Sequence, residues 1–491
     1  MASPTLSSAP SLPGTPSLVT KGIFTSALPR LRSISGSLLP TSLAATASDA
    51  VWPHFVHFAR QQILHVFSSI QHGSLLIDDH TTNQQHHFGT TKPPKTKPSH
   101  PPSATDPPLV HLIVHRAAFW PRLLLSADLG FAEALMLGDV SVPDQTAFVR
   151  LFILNRAQLG DATTLLSSIW KWGAGKVRSV NSVPQALVNI QKHYDLSNDM
   201  FAAFLSRDMT YSCPIWGTGG EETLEQAQMR KLRRFIANAR IKATDHVLEI
   251  GTGWGSFAME AAMMTGCRVT SLTLSREQKV LAEERIREAG LEGRVEVLLR
   301  DYRELEAGGE VPEGGYDKIV SIEMLEAVGR EFLATYFGFV ERVLKKEGGV
   351  AVFQCITMPE GRHKAYSENG TDFINEYIFP GGYLPSITQL LNHITKESHG
   401  TLIIESVENI GGHYAKALRL WREAFVANFD EKIKPALLER GNTVEETEIF
   451  LQKWKYYFSY CEAAFVTKTL GDVIITVGRE GSMELMEGIP I

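Results

Sequence analysis

The stretch Val247-Leu-Glu-Ile-Gly-Thr-Gly-Trp-Gly-Ser-Phe-Ala258 constrains this chain more than any other. Val247 to Ile250 is a short apolar run, the length of a buried parallel strand. Gly251, Gly253 and Gly255 follow at alternate positions, and Phe257 to Met264 then reads as a helix. A strand that turns into a helix through glycines forms a nucleotide pocket, because backbone can approach a ligand where no Cβ intrudes. The acid is the discriminating residue. A dinucleotide-binding turn reads G-x-G-x-x-G, with its acid about 20 residues further on. Here Glu249 stands two residues before the first glycine, and the pattern is E-x-G-x-G-x-G. An acid at the strand end can meet an ammonium or a hydroxyl, which suits S-adenosylmethionine better than NAD. The competing reading is a plain glycine turn in another α/β protein.

The segments after this turn alternate. Val269 to Thr273, Val295 to Leu299, Tyr316 to Glu323 and Gly349 to Ile356 read as strands, with helical stretches between them. Ser275 and Gln278 have the spacing of a capping box at one helix start. Thr223 to Ala239 has helical apolar spacing ahead of the first strand. The fold class expected is α/β, a doubly wound, mostly parallel sheet. Ligands of such sheets bind at the carboxyl ends of strands. That rule gathers Glu249, Thr273, Asp301, Glu323 and Gln354 at one edge.

The 491 residues leave room for two or three domains. Residues 1–50 are rich in Ser, Pro and Thr, and their first acid is Asp49. They fit a disordered tail or an organelle-targeting segment, mitochondrial among the alternatives. Residues 51–185 read as a smaller N-terminal α/β domain, broken by a Pro- and Lys-rich loop at 90–108. It opens with a helix carrying Phe55, Phe58, Ile63, Phe67 and Ile70, which either packs into a core or lies on a membrane surface. Strand-like segments Ser74 to Ile77 and Leu109 to Val114 follow, then helical Phe119 to Leu125 and Phe131 to Leu137. Residues 190–491 are the expected catalytic domain. The net charge of −6 gives no general attraction to nucleic acid. Cys213, Cys267, Cys355 and Cys461 form no C-x-x-C pair, so no metal site or disulfide framework is expected, and a reducing, cytoplasmic setting fits. No apolar run reaches the roughly 18 residues of a membrane span, so membrane contact would be peripheral.

Several segments together resemble the cyclopropane-fatty-acyl-phospholipid synthase family, which includes the mycolic acid cyclopropane synthases. They are Asp128-Leu-Gly-Phe-Ala-Glu-Ala134 with Gly138-Asp139, His193-Tyr-Asp-Leu-Ser-Asn-Asp-Met-Phe201, Tyr211-Ser-Cys213, the glycine turn, and Thr273-Leu-Ser-Arg-Glu-Gln278. Glu323-Met-Leu-Glu-Ala-Val-Gly329 and Tyr377-Ile-Phe-Pro-Gly-Gly-Tyr-Leu-Pro-Ser386 complete the set. The glycine turn is common to many methyltransferases; the Tyr-Ser-Cys and Tyr-Ile-Phe-Pro-Gly-Gly segments are more specific. The resemblance spans roughly residues 55–480 and looks more like the eukaryotic branch than the bacterial one. It implies a class I S-adenosylmethionine-dependent methyltransferase that adds a methylene across a cis double bond of a membrane phospholipid acyl chain. Homo-oligomers are compatible with it. Related C-methylation of an acyl chain or sphingolipid base, or a catalytically silent lipid-binding protein, are the alternatives.

The resemblance also implies site residues. Tyr211 and Ser212 would meet the methionine end of the cofactor, and Glu249, Gly251, Gly253, Trp254 and Gly255 would form the turn. Thr273, Leu274, Ser275 and Gln278 would lie on the ribose side, and Asp301 and Tyr302 on the adenine side. The base in the family is proposed to be a bound bicarbonate. Its ligands would be Cys213, Glu326, the Ile356 backbone amide and Tyr414, with Gln354 where the bacterial family has a histidine. Gln can donate a hydrogen bond but cannot titrate, so Gln354 cannot be the base; neighbouring His413 is a candidate substitute. Tyr336, Phe337, Phe373, Tyr377, Phe379, Trp421, Phe425, Tyr456 and Phe465 are candidate walls for the acyl chain, with ordinary core as the competing role.

Overall fold

The computed structural model describes residues 41–90, 105–159, 198–219, 221–368 and 372–490. Most of the N-terminal tail, residues 91–104 of the Pro-rich loop, residues 160–185, and His193 to Ser197 of one motif lie outside the described residues. Residues His54–Ile491 form one compact unit.

Two sheets organise that unit. The smaller contains β1 (Ser74–Asp79), β2 (Gln84–Gly89), β3 (Leu109–Val114) and β4 (Val140–Ser141), in the order β2-β1-β3-β4. β1 and β3 are parallel; β2 and β4 run antiparallel to their neighbours. The opening helix, Thr41–Phe67, buries Val56, Ala59, Ile63, Val66 and Phe67, and Ile70 is buried just after it. Phe58 stays 45% exposed, so the face seen in the sequence is mainly a core face. The two predicted helical pieces are one segment, Phe119–Met136, kinked at Ala127, whose φ is 48°.

The larger sheet contains β5 (His246–Ile250), β6 (Arg268–Thr273), β7 (Val295–Leu299), β8 (Lys318–Ile322), β9 (Val350–Thr357), β10 (Ile403–Asn409) and β11 (Gly471–Gly478). Its order is β10-β11-β9-β8-β5-β6-β7. β5 to β9 are parallel, as the strand–helix alternation predicts, and β10 and β11 append an antiparallel edge. β5, β6, β8 and β9 are buried on both faces, as strands of a parallel sheet usually are, while the edge strand β7 exposes Glu296 and Leu299. Alternate residues serve different cores. Val247, Val269, Val320 and Val352 pack towards the helices Leu224–Asn238 and Ser256–Thr265. Leu248, Leu272, Ile319 and Phe353 pack towards Leu333–Val343 and Ile387–Glu397.

The strand order reverses between β5 and β8, the position where an open α/β sheet leaves a crevice. A second layer lies beyond it. Helix Val444–Val466 packs against Gln145–Leu154 and Phe119–Met136, tying the smaller sheet to the larger. Thr146 donates to Glu462, which also pairs with Arg422, and Phe131 stacks on Phe148.

Candidate active site

Two cavities meet at the crevice. The first, about 580 Å³, is lined by the glycine turn and the carboxyl ends of β5, β6, β7 and β8. Gly251 and Gly253 have φ of 106° and 52°, a region that L side chains rarely adopt. A Cβ on Gly253 would meet no atom within 4 Å, so the turn presents bare backbone to the cavity. Glu249 is buried and accepts a hydrogen bond from Ser271. Burial pushes its carboxyl up to about 8. Leu274, 75% exposed, offers an apolar face to a bound ring. Opposite the turn, Ser212 accepts a hydrogen bond from the buried Lys231 at 2.7 Å, and the Tyr211 hydroxyl lies 2.7 Å from that of Tyr457. Volume, acid and bare turn fit S-adenosylmethionine.

Eleven of the thirteen residues expected to hold the cofactor line this cavity: Tyr211, Ser212, Glu249, Gly251, Gly253, Trp254, Thr273, Leu274, Gln278, Asp301 and Tyr302. Gly255 and Ser275 do not. Gly255 has φ 85° and caps the helix Ser256–Thr265, with a Cβ there lying 3.4 Å from Ala282. Ser275 caps Arg276–Glu288 by accepting from the Gln278 amide. The expected capping box is only half formed, because the Gln278 side chain accepts from Thr273 instead of returning to Ser275. Asp301 lines the cavity while bonding Arg303.

The second cavity, about 1070 Å³, extends away from the first. Asp128, Val149 and Ile153 reach it from the N-terminal region; Tyr457, Cys461 and Ala464 reach it from the helix Val444–Val466. Of the aromatic walls expected, Phe379 and Phe465 line it. Tyr336, Phe337, Phe373, Tyr377, Trp421, Phe425 and Tyr456 are buried core instead. Tyr366, Tyr383, Tyr457 and Tyr460 line it without having been singled out by their sequence context. Tyr211, Glu323, Ala327 and Phe379 line both cavities and mark their junction.

At this junction the expected catalytic residues gather, but around a different centre. Glu323 follows β8, and its Oε1 accepts from the Cys213 amide and from Gln354 Nε2, each at 2.7 Å. Tyr414 donates to its Oε2 at 2.7 Å. Gln354 Nε2 also donates to Asp472 at 2.8 Å. Asp472 sits opposite Ile356 in the β9–β11 pairing. Glu326, assigned by the resemblance to hold an anion, instead accepts from the Ile356 amide. Burial first, then neighbouring Glu323, pushes its carboxyl up to about 8. Burial likewise raises Glu323, and raises Asp472 well above the carboxylate range.

Cys213 and Gln354 line neither cavity. The Cys213 thiol faces the carbonyls of Pro214 and Ile410, and burial raises it well above its usual range. Its contribution to the cluster is therefore its backbone amide. His413 accepts from the Trp216 amide at 3.1 Å and lines neither cavity. The donors expected to hold bicarbonate are thus engaged by the chain's own carboxylates, Glu323 and Glu326, and the arrangement does not fit an added anion.

Asp472 and Lys231 belong to this cluster and were missed in the sequence. Asp472 carried a signal: it is a lone acid in the apolar strand Gly471–Gly478. Lys231 carried none, because a lysine on an amphipathic helix reads as a solvated face.

The sheet, the glycine turn and the cavity beside it define a class I S-adenosylmethionine-dependent methyltransferase. Within that class the chain belongs to the mycolic acid cyclopropane synthetase family, which it matches over residues 181–474. It is 37% identical to a tuberculostearic acid methyltransferase of Mycobacterium tuberculosis over 395 residues, 77% of this chain and 85% of that one. It is 31% identical to the cyclopropane-fatty-acyl-phospholipid synthase of Escherichia coli over 369 residues, 75% of this chain and 88% of the other. Among solved structures it resembles the cyclopropane synthase MmaA2 of Mycobacterium tuberculosis, with 26% identity and a TM-score of 0.50, covering 61% of this chain and 100% of that one.

Proposed function

We propose that this enzyme transfers a methyl group from S-adenosylmethionine to a cis double bond in a phospholipid acyl chain and closes a cyclopropane ring. The observation that supports this most is the junction, where the cofactor cavity opens beside the larger cavity across Tyr211, Glu323, Ala327 and Phe379. S-adenosylmethionine supplies an electrophilic methyl group when bound. The residues of the chain do the rest. Glu249, Tyr211 and the turn backbone orient the donor. The second cavity holds the alkene and keeps water from the carbocation that methyl addition leaves. Tyr457 and Tyr460 line that cavity, and an aromatic ring turned to the cation would stabilise it electrostatically.

No helix among the described residues is long and apolar enough to cross a membrane. In this reading the acyl chain enters the cavity during peripheral contact with a membrane surface.

A second reading is supported by the 37%-identical relative, whose name is that of a methyltransferase rather than a cyclopropane synthase. There the cation loses its proton from an adjacent chain carbon, and a methyl-branched chain that retains an in-chain double bond results. Mass spectrometry of lipids from a bacterium that lacks its own synthase and expresses this chain separates the two. A gain of one CH2 with the double bond consumed supports the ring. The same gain with an alkene retained selects the branched product. No change in any lipid, with the purified protein still binding S-adenosylhomocysteine, would overturn both readings.

A further inference from the structure

The resemblance supplies an external bicarbonate as base, yet the groups that would grip it are turned onto residues of the chain. Cys213 N, Gln354 Nε2 and Tyr414 OH converge on one carboxylate, that of Glu323. Glu323 also stands where the two cavities meet. We propose that Glu323 is the catalytic base of this enzyme, a carboxylate built into the chain in the place of a bound anion, and that turnover does not require bicarbonate. This rests on the methyl-transfer reading above.

Three further features support it. The first is Gln354. A single amide nitrogen offers two N–H donors and no titrating proton. Gln354 Nε2 spends them on Glu323 and Asp472, linking the two carboxylates without itself competing as a base. The second is the backbone. Glu323 has φ 47°, a conformation that costs a non-glycine residue energy and persists where the surroundings fix it. The Glu323 amide bonds the Gln354 carbonyl, and the side chain is tied at three points, so the strained residue is held towards the cavities. The third is charge. Burial raises all three carboxyls; the fully buried Lys231 draws Glu323 back towards its charged form, and the Glu323 carboxylate pushes Glu326 and Asp472 further towards neutral. A further anion placed there would add a like charge to the cluster.

The step balances within the enzyme and its two substrates. The alkene pair forms the bond to the methyl carbon as the carbon–sulfur bond breaks, leaving a neutral thioether and a carbocation on the chain. A C–H bond of the new methyl then breaks. Its electron pair closes the third side of the ring, and its proton passes to a Glu323 oxygen. In the branched outcome the same carboxylate takes the proton from the neighbouring chain carbon, so the identity of the base is independent of which product forms.

The test uses the purified full chain, methyl-labelled S-adenosylmethionine and vesicles of monounsaturated phospholipid, in buffer stripped of carbon dioxide or supplemented with bicarbonate. Wild-type turnover should be the same in both buffers. Glu323→Gln should lose about 100-fold or more in kcat, the scale of a general base, while S-adenosylhomocysteine affinity stays within a few-fold. Glu323→Gly relieves the positive φ and opens the seat of the carboxylate. It should be inactive in stripped buffer and regain turnover with added bicarbonate or formate. Wild-type activity that falls when bicarbonate is removed, or a Glu323→Gln enzyme that keeps its kcat, would overturn the proposal while leaving methyl transfer intact. A wild type that binds S-adenosylhomocysteine but labels no lipid in either buffer would overturn the functional reading, and this inference with it.

Discussion

The two cavities that meet at Glu323 are built from opposite kinds of sequence. The cofactor cavity is lined mainly by short segments at the ends of successive strands: 249–257, 272–278, 300–303 and 322–328. Each is a local motif whose residue types are dictated by one ligand and one turn geometry. The acyl cavity takes residues from Asp128 to Leu470, supplied by helices from both ends of the chain. Apart from the segment 377–386, which lines it nearly continuously, its lining is scattered over the chain and carries no local pattern. The difference teaches where specificity resides. Local motifs shape the first cavity, and mainly long-range packing shapes the second.

Four variants test that division, and the largest effect is expected in the turn. Gly253→Val places a β-branched residue at φ 52° with its side chain projecting into the cofactor cavity. Affinity for S-adenosylhomocysteine by calorimetry should fall about 100-fold or more from backbone strain and lost volume. Unchanged affinity would break the assignment of the first cavity.

Next is Glu249. Its folded carboxyl stands at about 8, above the ordinary carboxylate value, so the native state holds a proton that the unfolded chain releases. Stability from this group is fully present below its unfolded value and is lost as pH rises to about 8. Glu249→Gln removes the titration. Denaturant unfolding of wild type and variant should show the variant gaining about 3 kcal/mol relative to wild type between pH 5 and pH 8. Parallel pH profiles would show the carboxyl to be ionised throughout.

In the second cavity, Ala464→Phe fills space on the acyl side. Turnover on long-chain lipids should drop about 10-fold relative to shorter ones, with cofactor affinity kept. Equal loss of both would erase the distinction between the cavities. The smallest effect belongs to Ser275→Ala, which removes a helix cap outside the cofactor cavity. It should cost about 1 kcal/mol of stability and leave S-adenosylhomocysteine affinity unchanged by the same calorimetry.

The same division explains what could be read from the chain. Strands β5 to β9 and most of the residues lining the first cavity were legible because periodicity and turn chemistry act over a few residues. Leu109–Val114 was legible end to end for the same reason. The antiparallel β10 and β11 were not, since their pairing joins segments far apart in sequence. At the junction the residues gathered as the motifs implied, with Cys213, Gln354 and Tyr414 bonded to Glu323 and the Ile356 amide bonded to Glu326. Sequence placed Glu323 at the strand end and went no further. Its role depends on where Cys213, Gln354 and Tyr414 point, and these reach it across separations of 110, 31 and 91 residues. Gly255 and Ser275 stand outside the cavity lining and cap helices, because a turn motif contains both ligand-facing and scaffold positions that spacing does not distinguish.

The hydroxyl contact between Tyr211 and Tyr457 joins a cofactor-side residue to one on the acyl side. The partition between the two sites is there only one side chain thick. Occupants on its two faces are therefore linked thermodynamically, and the linkage is reciprocal. Whatever factor a lipid imposes on the affinity for S-adenosylhomocysteine, S-adenosylhomocysteine imposes on the affinity for lipid.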